Sequence, residues 1–168
     1  GTDVLTLRGV FNTQMFQVRY GGTISALTLV GPAGAPTSGT IRVANAIAID
    51  GLETTSLAVP QDLSPLIEAI DQGRPEALVL VSSQNSATYA IVALDPANSD
   101  ISNPASLVVG FRVTGGTHTT EYGPLSSAGV FPSEMTSAAY LGLVEEYRYY
   151  IRERRVGAEL MPAPVRAR

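Results

Sequence analysis

Acid–base chemistry in this chain depends on one residue, because His118 is its only histidine. The surrounding sequence, Gly-Gly-Thr-His-Thr-Thr-Glu-Tyr at residues 115–122, supplies hydroxyl groups and one carboxylate, Glu121. A histidine oriented by a carboxylate can activate a serine or threonine hydroxyl for hydrolysis. On a strand, however, residues three apart point to opposite faces. A hydrolase using His118 is therefore only our second alternative, and we assign no catalytic residue.

Two residue types that carry much enzyme chemistry are missing from the chain. It has no cysteine, and all eleven of its basic residues are arginine. Lysine Schiff bases, thiolate nucleophiles, disulfides and thiolate metal sites are thereby excluded. Residues 34–40 have the glycine spacing of a phosphate-binding loop, but Thr40 stands where that loop requires lysine. We expect a protein without enzyme activity and without a cofactor.

A loop at residues 95–103 is acidic and rich in oxygen atoms, as a calcium-binding loop would be. It lacks the glycine and the final glutamate of the EF-hand pattern. Turns stabilised by aspartate and asparagine side chains account for the same composition without an ion. We therefore predict no metal site.

Charge is distributed unevenly along the chain. Residues 1–144 contain eleven acidic residues and five arginines, whereas residues 145–168 contain four acidic residues and six arginines. An acidic body repels nucleic acid and anionic lipid. The apolar runs at residues 24–30 and 77–81 are too short to cross a bilayer. We expect a soluble chain whose body binds no nucleic acid and which does not insert into a membrane. The sequence does not specify the cellular compartment; the candidate settings are a virion or the extracellular space.

Most of the chain reads as short strands separated by turns. Alternating or β-branched runs bounded by glycine, proline, aspartate and asparagine are typical of antiparallel β proteins. The predicted strands are residues 4–11, 15–20, 24–30, 40–49, 56–59, 77–82, 88–94, 106–114 and 117–121. We therefore predict a mainly β fold, an antiparallel sandwich or barrel, with a jelly roll as one option.

One short helix is expected to interrupt the strands, within residues 62–73. Ser64 can cap it, Pro65 suits the first helical position, and Gly73 suits a left-handed stop. Such a helix can plug the open end of a sandwich or barrel. Its inward-facing residues are predicted to be Leu66, Ile67 and Ile70.

A longer amphipathic helix is predicted over residues 133–157, packed on the body or on a partner. Apolar residues recur there at helical spacing, from Tyr140 through Val144 and Tyr147 to Ile151. Glu145 and Glu146 are read as surface residues that pair with arginine. Residues 1–132 form the predicted body, and residues 158–168 a flexible tail.

Tyrosine and arginine concentrate on this predicted helix, and both are enriched at interface hot spots. The candidate interface residues are Tyr140, Tyr147, Arg148, Tyr150 and Arg152. With the low charged fraction of 15%, they favour a non-enzymatic structural or protein-interaction module of a larger assembly. Viral capsid and virion-surface domains have this general character. The first alternative is a β-barrel that binds a small ligand or a glycan in a pocket lined by residues such as Phe16, Tyr20 and Phe111.

Overall fold

The computed structural model describes most of the chain in segments separated by short gaps. The backbone is described for residues 4–11, 14–20, 23–24, 27–48, 58–74, 76–84, 88–103, 106–113, 117–120, 123–126, 131–133, 135–156 and 159–167. Side chains are described for residues 5–11, 14–18, 27–45, 60–74, 76–84, 88–103, 106–113, 131–133 and 135–149.

Strands dominate these segments, as predicted. In chain order they are β1 (Val4–Gly9), β2 (Phe16–Gln17), β3 (Arg19–Tyr20), β4 (Thr23–Ile24), β5 (Thr28–Val30), β6 (Ser38–Ala44), β7 (Ala46–Ala48), β8 (Ala58–Pro60), β9 (Ala77–Ser82), β10 (Tyr89–Leu94), β11 (Ser106–Arg112), β12 (Thr117–Thr120), β13 (Gly123–Ser126), β14 (Ala138–Leu143), β15 (Glu145–Val156) and β16 (Glu159–Ala167). One helix, α1 (Ser64–Asp71), and a short 3-10 turn, Pro96–Asn98, accompany them in the described segments.

The strands form two larger antiparallel sheets. Seven strands make the main sheet, in the order β2-β14-β9-β10-β11-β6-β5, and three make the terminal sheet, in the order β1-β15-β16. The remaining strands pair locally as β3-β4, β7-β8 and β12-β13. The mainly β, antiparallel prediction is therefore confirmed.

One face of the main sheet carries the hydrophobic core. Residues at alternate positions of its strands are buried, and the residues between them range from buried to exposed, because successive side chains of a strand point to opposite faces. The largest fully buried side chains are Phe16, Val18, Ile41, Leu66, Leu78, Leu80, Leu94, Leu107, Phe111, Met135 and Leu141. Phe16 and Phe111, which we expected to line a pocket, lie in this core.

The main sheet curls, so that its first strand approaches its sixth. The side chain of Gln61 bridges them: its amide nitrogen donates to the carbonyl oxygens of Gln17 in β2 (3.0 Å) and Ala44 in β6 (2.9 Å), and its amide oxygen accepts the Gln17 N–H at 2.7 Å. Among the described residues no backbone ladder joins β2 to β6. The sheet is therefore curled but not closed.

Helix α1 lies where the sequence predicts it and packs on the core. Leu66 and Ile70 are buried, and Ile67 is partly buried against the same cluster. Its start differs in detail: the Asp62 carboxylate, not a Ser64 hydroxyl, accepts a backbone N–H of the first turn, that of Ser64 at 3.0 Å. Gly73 ends the helix at φ +65°, a left-handed conformation that favours glycine.

The predicted C-terminal helix is wrong. Residues 138–143, 145–156 and 159–167 are strands, and β14 lies inside the main sheet between β2 and β9. Tyrosine, isoleucine and valine favour strands, and β15 gains partners on both sides, from β1 over six residue pairs and from β16 over nine. The segment expected to be a flexible tail provides β16, an edge strand in which Pro162 and Pro164 are tolerated because an edge N–H needs no partner strand.

Candidate interaction surface on the terminal sheet

A buried carboxylate organises the terminal sheet. Glu146 in β15 lies opposite Arg8 in β1, and its side chain is only 2% exposed. Arg8 Nε donates to Glu146 Oε2 at 2.6 Å, and Arg148 Nε donates to Oε1 at 3.0 Å. Charge-assisted hydrogen bonds of this kind are strong, and here each oxygen has its own donor. Glu146 thus holds two guanidinium groups at the edge of solvent, where the Arg8 and Arg148 side chains are 38% and 35% exposed.

Strand periodicity places a series of basic positions on the same face of β15. Residues at alternate positions of a strand share a face, so Arg148 is followed there by Tyr150, Arg152 and Arg154. We call these four residues the basic strand face. The residues paired with them on β16 are small or apolar: Ala167, Val165, Ala163 and Met161.

Three of the five predicted interface residues, Arg148, Tyr150 and Arg152, belong to the basic strand face. They were expected to lie together on a helix, and the strand brings them together for a different reason, its two-residue period. Arg148 is described with its side chain, whereas the side chains of Tyr150 and Arg152 lie outside the described residues. Arg154 was not among the predicted interface residues, although it continues the same alternation of positions along β15.

The opposite face of the terminal sheet contains the fourth predicted residue, Tyr147, and exposed leucines of β1. Tyr147 is 4% exposed; its ring packs edge-to-face on Phe11 with centroids 5.2 Å apart, and its hydroxyl donates to Glu145 Oε2 at 2.8 Å. Leu7, opposite Tyr147 in β1, and Leu5 are 39% and 59% exposed. Tyr147 therefore lies on the other side of the sheet from the basic strand face. The exposed Leu5 and Leu7 were not among the predicted interface residues, because no feature of the sequence distinguished them.

Tyr140, the fifth predicted residue, lies on the main sheet. It is 41% exposed, on the face away from the core. Val81 in β9 pairs with Tyr140 on one side and with Tyr89 in β10 on the other, so the three residues form a row across three strands. Tyr89 is 59% exposed and was missed, although it alternates with core residues such as Ala90.

Comparison of the chain with known proteins found no relative. No protein-family model, curated protein or solved structure matches the chain. In the segments that the structure describes, no helix is long and apolar enough to cross a membrane.

The side chain of His118, the candidate general base, lies outside the described residues. The backbone of His118 lies in β12, opposite Leu125 of β13, while all of Glu121 also lies outside the described residues. The hydrolase hypothesis therefore stays a prediction that no observed contact favours.

The acidic loop at residues 95–103 has a structural explanation. The buried Asp95 carboxylate accepts a hydrogen bond from Asn98 Nδ2 at 2.7 Å and lies 3.3 Å from Arg112 Nε. The Asp100 carboxylate accepts the N–H of Ser102 at 2.9 Å, and hydrogen bonds from Ser102 lower the pKa of Asp100. Across the described residues, no group of three or more histidine, cysteine, aspartate or glutamate side chains could hold a metal ion. The loop is thus organised by its own Asx turns and by the ion pair of Asp95 with Arg112 of β11.

Proposed function

We propose that this chain is a non-enzymatic structural or protein-interaction module of a larger assembly, and that it self-associates through the terminal sheet. The observation that carries the proposal is the basic strand face, in which Arg148, Tyr150, Arg152 and Arg154 occupy successive alternate positions of β15. Arginine and tyrosine combine a large contact area with a polar tip, which is why they dominate interface hot spots. A viral capsid or virion-surface domain is the kind of module we propose, in a virion or extracellular setting.

Two further features support a protein partner. Glu146 fixes Arg8 and Arg148 in place, so less side-chain entropy is lost when these arginines bind. On the other face of the sheet, Leu5 and Leu7 expose apolar surface, which is typical of contact sites. The acidic body disfavours nucleic acid as the partner.

The architecture of the body is also part of what we propose. We infer a sandwich-like arrangement, in which the curled main sheet covers the core from one side. Support comes from the Gln61 bridge between β2 and β6 and from the burial of α1 residues against the same core.

Sedimentation velocity over a hundredfold range of concentration tests the proposed association. The unmodified chain is expected to form a defined oligomer, and the double variant Tyr150→Ala, Arg152→Ala to remain at the single-chain mass. The matched control removes the same residue types from the main sheet, as Tyr89→Ala, Arg42→Ala, and should associate like the unmodified chain. If the unmodified chain is monomeric throughout, or if both double variants associate normally, the proposal fails.

A second candidate is glycan binding, which the row formed by Tyr140, Val81 and Tyr89 favours. Neighbouring strands lie about 4.8 Å apart, so the backbones of the two tyrosines are about 10 Å apart on one face. Tyrosine offers both an apolar ring face and a polar hydroxyl to a ligand. Affinity electrophoresis in gels containing soluble polysaccharides is expected to retard the unmodified chain but not Tyr89→Ala, Tyr140→Ala. Equal mobility of both proteins in every gel would contradict this candidate.

A further inference from the structure

The charge of the terminal sheet specifies what kind of surface can cover it. Its basic face carries four arginines, Arg8, Arg148, Arg152 and Arg154, and two acidic residues, Glu146 and Glu159, the latter paired with Val156 at the end of β15. Like charges brought together across an interface cost free energy. A symmetric contact would lay this face on its own copy and oppose arginine with arginine. The excess of arginine therefore disfavours a two-fold contact and favours an acidic partner surface.

The body of the same chain provides such a surface around α1. Residues 62–76 contain four carboxylates and one arginine, and Asp62, Glu68 and Asp71 are exposed. Arg74 is shared between Glu68 (3.8 Å) and Glu76 (3.5 Å). Hydrogen bonds from Ser64 lower the pKa of Asp62. We call Asp62, Glu68, Asp71 and Glu76 the acidic helix surface.

We propose that copies of the chain associate head to tail, with the basic strand face of one copy against the acidic helix surface of the next. The inference rests on the proposed function and adds its partner surface and its symmetry. The charges are opposite in sign: the basic strand face and its neighbours Arg8, Glu146 and Glu159 carry four arginines and two carboxylates, and the acidic helix surface with Arg74 carries four carboxylates and one arginine. Because the two surfaces differ, each copy keeps one of them available for the next, which generates rings or open chains in place of dimers.

Complementary charge reversals test the contact. The variant Arg152→Glu, Arg154→Glu makes the strand face acidic, and the variant Glu68→Arg, Asp71→Arg makes the helix surface basic. Each variant alone opposes like charges, so each is expected to sediment at the single-chain mass. In an equimolar mixture, every contact between the two variants is complementary, and association is expected to return to the level of the unmodified chain.

Matched controls place a reversal elsewhere on the body. Arg42→Glu on the main sheet and Asp100→Arg in the loop after β10 should each associate like the unmodified chain, and Asp100→Arg should not rescue the strand-face variant. Circular dichroism and thermal melts of every variant check that it folds, and only folded variants are compared.

The outcomes separate this inference from the proposed function. Loss of association in the strand-face variant alone, with normal association of the helix variant, overturns the head-to-tail contact but leaves the terminal sheet as the interface. Loss in both variants without rescue in the mixture also overturns direct contact between the two surfaces. Normal association of both variants overturns the inference and the proposed function together.

Discussion

At the scale of single residues, Glu146 is the side chain on which the terminal sheet most depends. Replacing it with glutamine leaves Arg8 and Arg148 close together with no carboxylate between them. Hydrogen bonds to charged groups contribute about 1.5–3 kcal/mol when intact, and both arginines are more than a third exposed, so water offsets part of the loss. We expect Glu146→Gln to lower the free energy of unfolding by about 2 kcal/mol in urea denaturation.

The control for Glu146 is Glu76→Gln, because Glu76 is a more exposed carboxylate whose ion pair with Arg74 spans 3.5 Å. Surface pairs of this kind contribute about 0–1 kcal/mol. A Glu146→Gln effect no larger than that of Glu76→Gln would show that the buried carboxylate does not organise the sheet.

Gly110 and Ser106, at two separate positions of β11, are expected to respond oppositely to alanine substitution. A Cβ at Gly110 would lie 2.7 Å from the carbonyl oxygen of Asn98 and 2.9 Å from that of Asp95, so alanine there must displace the loop at residues 95–99. Overpacking of this kind costs about 1–3 kcal/mol. Ser106 Oγ is buried with no hydrogen-bond partner among the described residues, so Ser106→Ala is expected to be neutral or stabilising. Thermal unfolding of both variants checks the contrast; equal destabilisation would contradict it.

At the scale of elements, Gln61 is predicted to hold the curl of the main sheet. Gln61→Ala removes three hydrogen bonds that join β2 and β6, each of which contributes about 1 kcal/mol. We expect a loss of about 2–3 kcal/mol in unfolding free energy and faster amide exchange at Gln17, whose N–H loses its acceptor. Gln84→Ala is the control, because Gln84 is exposed and its side chain bonds Thr136 at 3.3 Å. Unchanged exchange at Gln17 would argue against the bridge.

Elements with local signals were predictable from the sequence, and those with distant partners were not. The runs that became β9 and β11 have β-branched residues between clear turns, and α1 has Pro65 and Gly73 at its ends. In β15, by contrast, apolar residues match both a helical and a two-residue period. Its partner β1 lies at the other end of the chain, and Arg8 is 138 residues from Glu146. Pairing across that distance decided the structure, and no local pattern in one sequence records it.

At the scale of the whole molecule, the uneven charge predicts how association responds to salt. The acidic body and the basic end of the chain attract each other between copies only where their fields are not screened. Raising sodium chloride from about 0.1 M to about 1 M shortens the screening length from about 10 Å to about 3 Å. We therefore expect the oligomer to dissociate over this range in sedimentation experiments, while an uncharged cosolute at equal osmolality leaves it intact. Association that persists or strengthens in salt would instead assign the contact to the exposed leucines of β1, because apolar burial does not weaken when charges are screened.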